Sequence, residues 1–201
     1  SSKRIRFEGD GYSEAWEKEA AKRKLSNLKT TPEAVAVMSE KAYVTLFEQM
    51  GVLSSIELKA RQEVEWEAYV MHTQIEGRVY EELVYSQILP SALSYTNVLL
   101  DNMSKINLVM EQVTALEESA QGQLFSEINL HVQGLKKSVD TMTQARKAAN
   151  KLATTSERAH AYALEVKPIF SSIRIHADQL EKLMSDSHWP LLKYRELLQI
   201  R

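Results

Sequence analysis

The stretch from Ser55 to about Met103 constrains the fold most, because it runs for nearly fifty residues with one proline, Pro90, and no pair of helix breakers. Its apolar residues recur every few positions and its charged residues fall mostly between them, as in an amphipathic helix. The apolar stripe comprises Val64, Met71, Ile75, Val79, Leu83 and Ile88, and the charged back comprises Glu63, Glu67, Glu76, Arg78 and Glu82. We predict one long helix whose stripe other helices bury, since such a helix cannot bury its apolar side alone.

The composition indicates a mainly helical protein. The chain has 201 residues, of which 44% are hydrophobic and 26% are charged, and it contains only six glycines and four prolines. An all-β fold needs a turn about every 8 to 12 residues, and these turn residues are too few to supply it. We therefore predict an all-α fold.

Charge and cysteine content exclude several classes of function. The formal net charge of -2 favours neither nucleic acid nor an anionic membrane surface as a partner. The chain has no cysteine, which excludes a disulfide framework, a thiolate nucleophile and a cysteine-based zinc site. No apolar run reaches the roughly 18 residues that a membrane span needs, and no signal-peptide pattern opens the sequence. We expect a cytoplasmic protein with no membrane partner.

The beginning of the chain predicts an extended arm followed by a short helix. Residues 3–7 alternate polar and apolar side chains, but no neighbouring strand is available to pair with them. Ser13 is placed to cap a helix that runs to about Lys24. Because this helix carries little apolar surface, residues 1–31 are predicted to be separate from a helical bundle formed by residues 32–201.

Two further helix starts follow the arm. The segment from Thr31 to Glu33, which combines a hydroxyl, a proline and an acid, predicts a helix that runs to Met50 and ends at Gly51. Its buried side is predicted to contain Val37, Ala42 or Val44, Leu46 and Phe47. Ser54 and Glu57 have the spacing of a capping box, which predicts the start of the long helix.

The long helix should bend and then reverse into a second regular helix. Pro90 removes one backbone donor, which predicts a kink near residues 87–89, and the apolar stripe continues beyond it as far as Leu116. A reversal at residues 119–122 leads into the helix with the most regular period, which ends near Ala153. Its apolar positions are Leu124, Ile128, Val132, Leu135, Val139, Met142 and Ala149.

The last long helix is predicted from about Ser156 to Met184, with Pro168 at a second kink. Its buried positions are Ala159, Ala163, Val166, Phe170, Ile173, Leu180 and Leu183. A short terminal helix that ends in Leu197 and Leu198 follows. Four helices joined by short connections predict an antiparallel four-helix bundle with long kinked helices.

A helical bundle can hold a di-metal centre, which requires Glu-x-x-His on two helices and a glutamate on each of the other two. Glu157 and His160 have this spacing, but none of the other four histidines follows a glutamate by three residues. Glu157 also lies at the predicted start of a helix, where a solvated cap is the simpler role. We predict no metal site here.

Three pairs of an acid and a histidine have a spacing that could serve acid–base chemistry. They are Glu127 with His131, His72 with Glu76 and, less favourably spaced, His176 with Asp178. No nucleophile or glycine-rich phosphate loop lies near any of them in the sequence, so we predict surface hydrogen bonds rather than catalytic groups.

The remaining candidates have structural explanations. Arg146, Lys147 and Lys151 could bind phosphate or an acidic partner, but cations at a helix end also complement the helix dipole. The methionines at stripe positions are predicted to fill core gaps, and three tyrosines are predicted to lie half buried between helices rather than to form a stacking surface. These residues are Met71, Met103, Met110, Met142 and Met184, and Tyr80, Tyr85 and Tyr95. No catalytic, cofactor-binding or metal-binding residue is predicted.

Several stretches resemble the part of type III glutamine synthetases that follows the catalytic core. Near the N-terminus they are KRIRFEGDGYSEAW at residues 3–16, EAAKR at 19–23 and NLKTTPEA at 27–34. Further along they are AANK at residues 148–151, VKP at 166–168, IR at 173–174 and WPLLKYRELL at 189–198. The resemblance spans nearly the whole chain. It departs from the family at Lys24, where glycine is commoner, and at Leu192, where proline is usual.

The resemblance implies that the chain is the C-terminal helical region of a large ATP-dependent ligase that joins ammonia to glutamate in hexameric rings. It also implies that the active-site carboxylates, metal ligands and nucleotide-binding residues lie upstream of Ser1, so no catalytic residue is assigned to any position here. ATP and Mg²⁺ are implied for the whole enzyme and not for this chain. The expected partners are the upstream catalytic domain and neighbouring subunits.

Two functional classes follow from the sequence. The first is a non-catalytic domain that contributes to structure, subunit packing or regulation, with the charged back of the long helix as the expected contact surface. The alternative is an independent helical scaffold or sensory bundle that binds another protein through an exposed stripe.

Overall fold

A computed structural model describes residues 5–109 and 119–198, and these residues form helices joined by turns. The α-helices are α1 Glu14–Lys22, α2 Thr31–Ala36, α3 Lys41–Gln49, α4 Ser55–Leu83, α5 Leu89–Val109, α6 Ala120–Ala149, α7 Thr155–Ala161, α8 Lys167–Leu183 and α9 Tyr194–Leu197. No β-strand occurs in these two ranges, and the all-α prediction is confirmed. The predictions for Met110 and Leu116 lie outside the described residues.

The chain divides into two compact units, Ser1–Glu65 and Trp66–Arg201, with the division inside α4. The domain boundary predicted between residues 31 and 32 stays a prediction. In the first unit, Phe7 of the predicted arm lies against the start of α1, where its ring is 4.9 Å from that of Trp16. The hydroxyl of Ser13 accepts a hydrogen bond from the Trp16 amide, which confirms the predicted N-cap.

A break separates α2 from α3, so the single helix predicted from Glu33 to Met50 is wrong. Residues 37–39 form a 3₁₀ turn, and Glu40 is extended. The buried amide of Gln62 donates to the carbonyls of Val35 (2.9 Å) and Ala36 (3.2 Å) at this break. The N-cap of α2 is Thr30 rather than Thr31.

The end of α3 and the start of α4 follow the prediction. Gly51 has φ 65°, and the amides of Gly51 and Val52 donate back to carbonyls of α3, as in a Schellman motif. Ser54 and Glu57 exchange the two hydrogen bonds of a capping box. On α3 the predicted buried side is only partly covered: Val44 and Phe47 are half buried, whereas Leu46 is exposed.

Two π-turns interrupt the long helices. Residues 84–88 connect α4 to α5, and residues 162–166 connect α7 to α8. Each turn ends two residues before a proline, Pro90 in the first case and Pro168 in the second. A proline cannot donate to the carbonyl four residues earlier and clashes with it, and one extra residue in the helix moves that carbonyl away. The prediction of long kinked helices is confirmed.

The hydrophobic core lies in the second unit, where α6 packs against both α5 and α8. Ile128, Leu135, Val139 and Met142 on α6 are fully buried, which confirms the period predicted for this helix. Buried residues of the last long helix and its π-turn complete the core: Tyr162, Val166, Phe170, Ile173 and Leu180. The four-helix bundle is consistent with this packing but remains a prediction.

Candidate functional site

One side of α4 is apolar and exposed. Val64, Met71, Ile75 and Val79 have exposed fractions of 60, 51, 53 and 47%. The predicted burial of these stripe residues is therefore wrong, whereas Ile88, after the π-turn, is buried as predicted. In the second unit we call Met71, Ile75 and Val79 the α4 stripe.

The buried side of α4 includes polar and small residues as well as the apolar Leu58. Gln62 and Thr73 are buried, and both are satisfied, because Thr73 donates to the carbonyl of Tyr69 (2.9 Å) and Gln62 to the α2 carbonyls. At Gly77 an added Cβ would meet Met142, Arg146 and Phe170 at 3.6–3.7 Å, so the helix backbone itself lies close to its neighbours. A prediction that counts only apolar residues therefore selects the wrong side of this helix as the buried one.

Glu157 and His160, which form half of the di-metal pattern, both interact with nearby backbone at the start of α7. Thr154 and Glu157 form a capping box at the start of α7, and the backbone hydrogen bond from Thr154 lowers the pKa of the Glu157 carboxyl. Nδ1 of His160 lies 2.8 Å from the carbonyl of Ser156. In the described parts of the chain, no three acidic, histidine or cysteine side chains are grouped to hold a metal ion.

The structure rearranges the predicted acid–histidine pairs. Nδ1 of His131 on α6 lies 3.1 Å from Nδ1 of His176 on α8. Asp178 instead accepts from Arg174, with Nε and Oδ1 2.7 Å apart. His72 and Glu76 are both exposed on α4. The sequence contained no signal for the histidine pair, because 45 residues separate its members.

The basic end of α6 is divided between interior and surface. Arg146 is largely buried and pairs with Glu81 on α4 at 2.8 Å, while Lys147 and Lys151 are exposed. Nε of Arg146 is buried and has no hydrogen-bond partner among the described residues. The three cations therefore do not form one phosphate-binding cluster. Arg146 joins two helices of the second unit, and 65 residues separate it from its partner in the sequence.

The methionines and tyrosines mostly fill the spaces between helices. Met142 and Met184 are buried, Met103 is half buried, and Met71 is exposed in the α4 stripe, so the core prediction is wrong for Met71.

The three tyrosines have separate partners and do not form a stacking surface. Tyr80 packs on Phe170 with ring centroids 4.9 Å apart, and Tyr95 packs on His188 at 5.1 Å. Tyr85 is more exposed and donates its hydroxyl to Asp140, an interaction that raises the pKa of the Tyr85 phenol.

The described helices include none that is long and apolar enough to cross a membrane. The described residues define a class: an all-helical domain with an exposed apolar stripe on α4. The chain matches the family described as "Glutamine synthetase C-terminal domain" over residues 1–107.

Curated relatives extend this similarity over almost the whole chain. A glutamine synthetase of Bacteroides fragilis is 41% identical over 98% of the chain and 27% of its own length. A type-3 glutamine synthetase of Dictyostelium discoideum is 28% identical over the same shares. The chain belongs to the glutamine synthetase family and corresponds to its C-terminal domain, as the resemblance to type III enzymes implied. It spans about a quarter of the length of these relatives.

Proposed function

We propose that this chain is a non-catalytic helical domain of a glutamine synthetase and that the α4 stripe packs against the rest of the enzyme or a neighbouring subunit. The whole enzyme would ligate ammonia to glutamate in the cytoplasm, with ATP and Mg²⁺ bound by residues outside this chain. The proposal rests on the membership of the family and on the share of its relatives that the chain spans.

The exposed stripe carries the packing part of the proposal. Burial of apolar surface is favourable by about 25 cal/mol per Å², and contiguous exposed apolar surface is typical of interaction sites. Met71, Ile75 and Val79 recur at intervals of four residues, so a partner can cover all three along one side of the helix. The charged back proposed from the sequence lies on the same helix and would flank this contact.

The packing proposal is tested in the full-length enzyme with Met71→Ser/Ile75→Ser. The matched control is Leu130→Ser/Ile175→Ser, which changes two exposed apolar residues on α6 and α8. If the contact joins subunits, we expect only the stripe variant to lower the mass of the assembled enzyme, measured by light scattering. If the contact lies within one subunit, we expect only the stripe variant to lower the melting temperature of the enzyme. Equal behaviour of the two variants in both measurements would contradict the packing role.

The non-catalytic part is tested with the isolated chain in an assay of ATP- and glutamate-dependent γ-glutamyl transfer. No turnover is expected, and measurable turnover would overturn the proposal. Stripe variants that leave the enzyme intact but abolish binding of a separate protein would instead support the alternative, an independent scaffold.

A further inference from the structure

Two histidine rings meet end to end between α6 and α8. Nδ1 of His131 and Nδ1 of His176 are 3.1 Å apart, and the ring centroids are 5.3 Å apart. The centroid distance exceeds the nitrogen distance by roughly two ring radii, so each nitrogen points at the other along the direction of its proton or lone pair. Such a contact is a hydrogen bond when one of the two nitrogens carries a proton and the other does not.

The chain makes room for this contact with a glycine. A Cβ added at Gly134 of α6 would lie 2.3 Å from Cε1 of His176, so the ring can hold its present position only because the side chain at position 134 is absent. Glycine is unfavourable inside a helix, and the close approach of the ring accounts for its presence in the middle of α6. Nearby, the hydroxyls of Ser138 and Ser172 also join α6 to α8, at 2.9 Å, without a titratable group.

The surroundings disfavour a second positive charge at this contact. Burial and the neighbouring His131 lower the pKa of His176. Seven charged residues lie within two turns of the pair along the two helices: Glu127, Lys136 and Lys137 on α6, and Arg174, Asp178, Glu181 and Lys182 on α8. Lys137 lines the same groove as His176, Asp178 is already paired with Arg174, and Glu127 is exposed. Among the described residues, no buried acid without a cationic partner lies beside the histidine pair.

We propose that the His131–His176 pair is a proton-operated contact between α6 and α8, closed while the two Nδ1 atoms share one proton and opened when both carry one. The tautomers decide which ring donates, and we assign His176 as the acceptor because burial lowers its pKa. A proton added to the Nε2 atom of the donor ring leaves the N–H···N bond in place. A second must bind Nδ1 of His176, which turns the acceptor into a donor and sets two cations against each other.

The sign of the pH dependence follows from the direction of the shift. The pKa of His176 is lower in the folded chain than in the unfolded chain, so the unfolded chain binds the proton at a higher pH. The stabilising contribution is complete above about pH 6.5, the ordinary imidazole value. It is lost as the pH falls through the lowered pKa of His176.

The first test follows all five histidines of the chain by NMR between pH 8 and pH 5, with EDTA present so that no metal ion bridges the rings. We expect His176 to titrate at a lower pH in the folded chain than in the chain unfolded in urea. His131→Gln should move the His176 midpoint upward, because the neighbouring charge is gone, and the control His72→Gln should not. A folded-state midpoint of His176 at or above its unfolded-state value would overturn the proposal.

The second test asks whether the contact opens. Urea unfolding at pH 7.5 and pH 5.5 should show a loss of stability on acidification that is smaller in His176→Gln than in the wild type or in His72→Gln. Gly134→Ala provides an independent variant, because it displaces the ring without removing either histidine, and it should raise the His176 midpoint. Equal losses in the wild type and His176→Gln would show that the pair is a static contact and refute the proposal.

Discussion

Lys24 occupies a backbone position that favours glycine. Its φ of 59° is left-handed, and the amides of Lys24 and Leu25 donate to the carbonyls of Ala21 and Ala20 in a Schellman motif that ends α1. The same position after α3 is filled by Gly51, with φ 65°. The departure from the family noted in the sequence, a lysine where glycine is commoner, is therefore a departure at a conformationally restricted site.

Replacing this lysine should strengthen the end of α1. We expect Lys24→Gly to stabilise the helix by about 0.5–1 kcal/mol, because an L-residue pays a steric cost in the left-handed conformation that glycine does not. Lys22→Gly is the matched control: it removes the same side chain from the helical region and should destabilise α1 by about the same amount. Amide hydrogen exchange of residues 17–23 measures both. If both variants changed the stability of α1 in the same direction, this account would be contradicted.

Single residues also explain where the sequence prediction failed. The period of α6 was predicted correctly because Ile128, Leu135 and Val139 are apolar and buried. The face of α4 was not, because Gln62 and Thr73 are buried with their hydrogen bonds made by backbone carbonyls. A buried polar residue that is satisfied by a backbone carbonyl has the same local sequence as one that faces water, so pattern alone cannot separate the two.

At the level of elements, proline predicted the site of each bend but not its form. The amide of Leu89 donates to the carbonyl of Val84, and that of Lys167 to Tyr162, five residues back in both cases. Each π-turn therefore contains one more residue than an α-helix would need. The packing of buried residues on both sides, such as Val84 and Ala92, holds this extra residue in place.

The extra residue and the proline should depend on each other. Deleting the exposed Ser86 turns the first π-turn into α-helix and brings Pro90 against the carbonyl four residues before it, which should cost about 3 kcal/mol. Adding Pro90→Ala to the deletion should recover most of that loss, while Pro90→Ala alone should change stability by less than about 1 kcal/mol. Urea unfolding followed by circular dichroism measures the three variants. A double variant no more stable than the deletion would contradict the pairing.

At the level of the whole molecule, the main buried apolar cluster of the described residues lies in the second unit, while Ala20 and Leu58 are buried in the first. Every member of the buried apolar cluster lies between Val84 and Trp189. The apolar periods of α6 and α8 predicted this core. The sequence did not predict the division of the chain within α4, because a continuous helical pattern does not show where the long-range contacts of a helix change from one unit to the other. Contacts such as Arg146 with Glu81 depend on the fold and have no local signature.

The second unit should therefore keep its fold without the first. We expect a chain that begins at Ser54, which retains the cap of α4, to preserve amide protection in α6 and α8, because no residue of the core cluster is removed. A chain that begins at Thr30 serves as the control, since it loses only the segment predicted from sequence as the arm. Loss of protection in the shorter chain, with protection kept in the longer one, would place residues 30–53 in the same cooperative unit as the core.

Gly134 and His176 constrain each other. A methyl group at position 134 would overlap the imidazole where it now lies, so Gly134→Ala requires the ring to move away from His131. If the histidine were replaced first, that requirement would vanish, and alanine would be the better helix former at position 134. The order of the two substitutions therefore decides whether the histidine contact is lost through displacement of the ring or through loss of the ring itself.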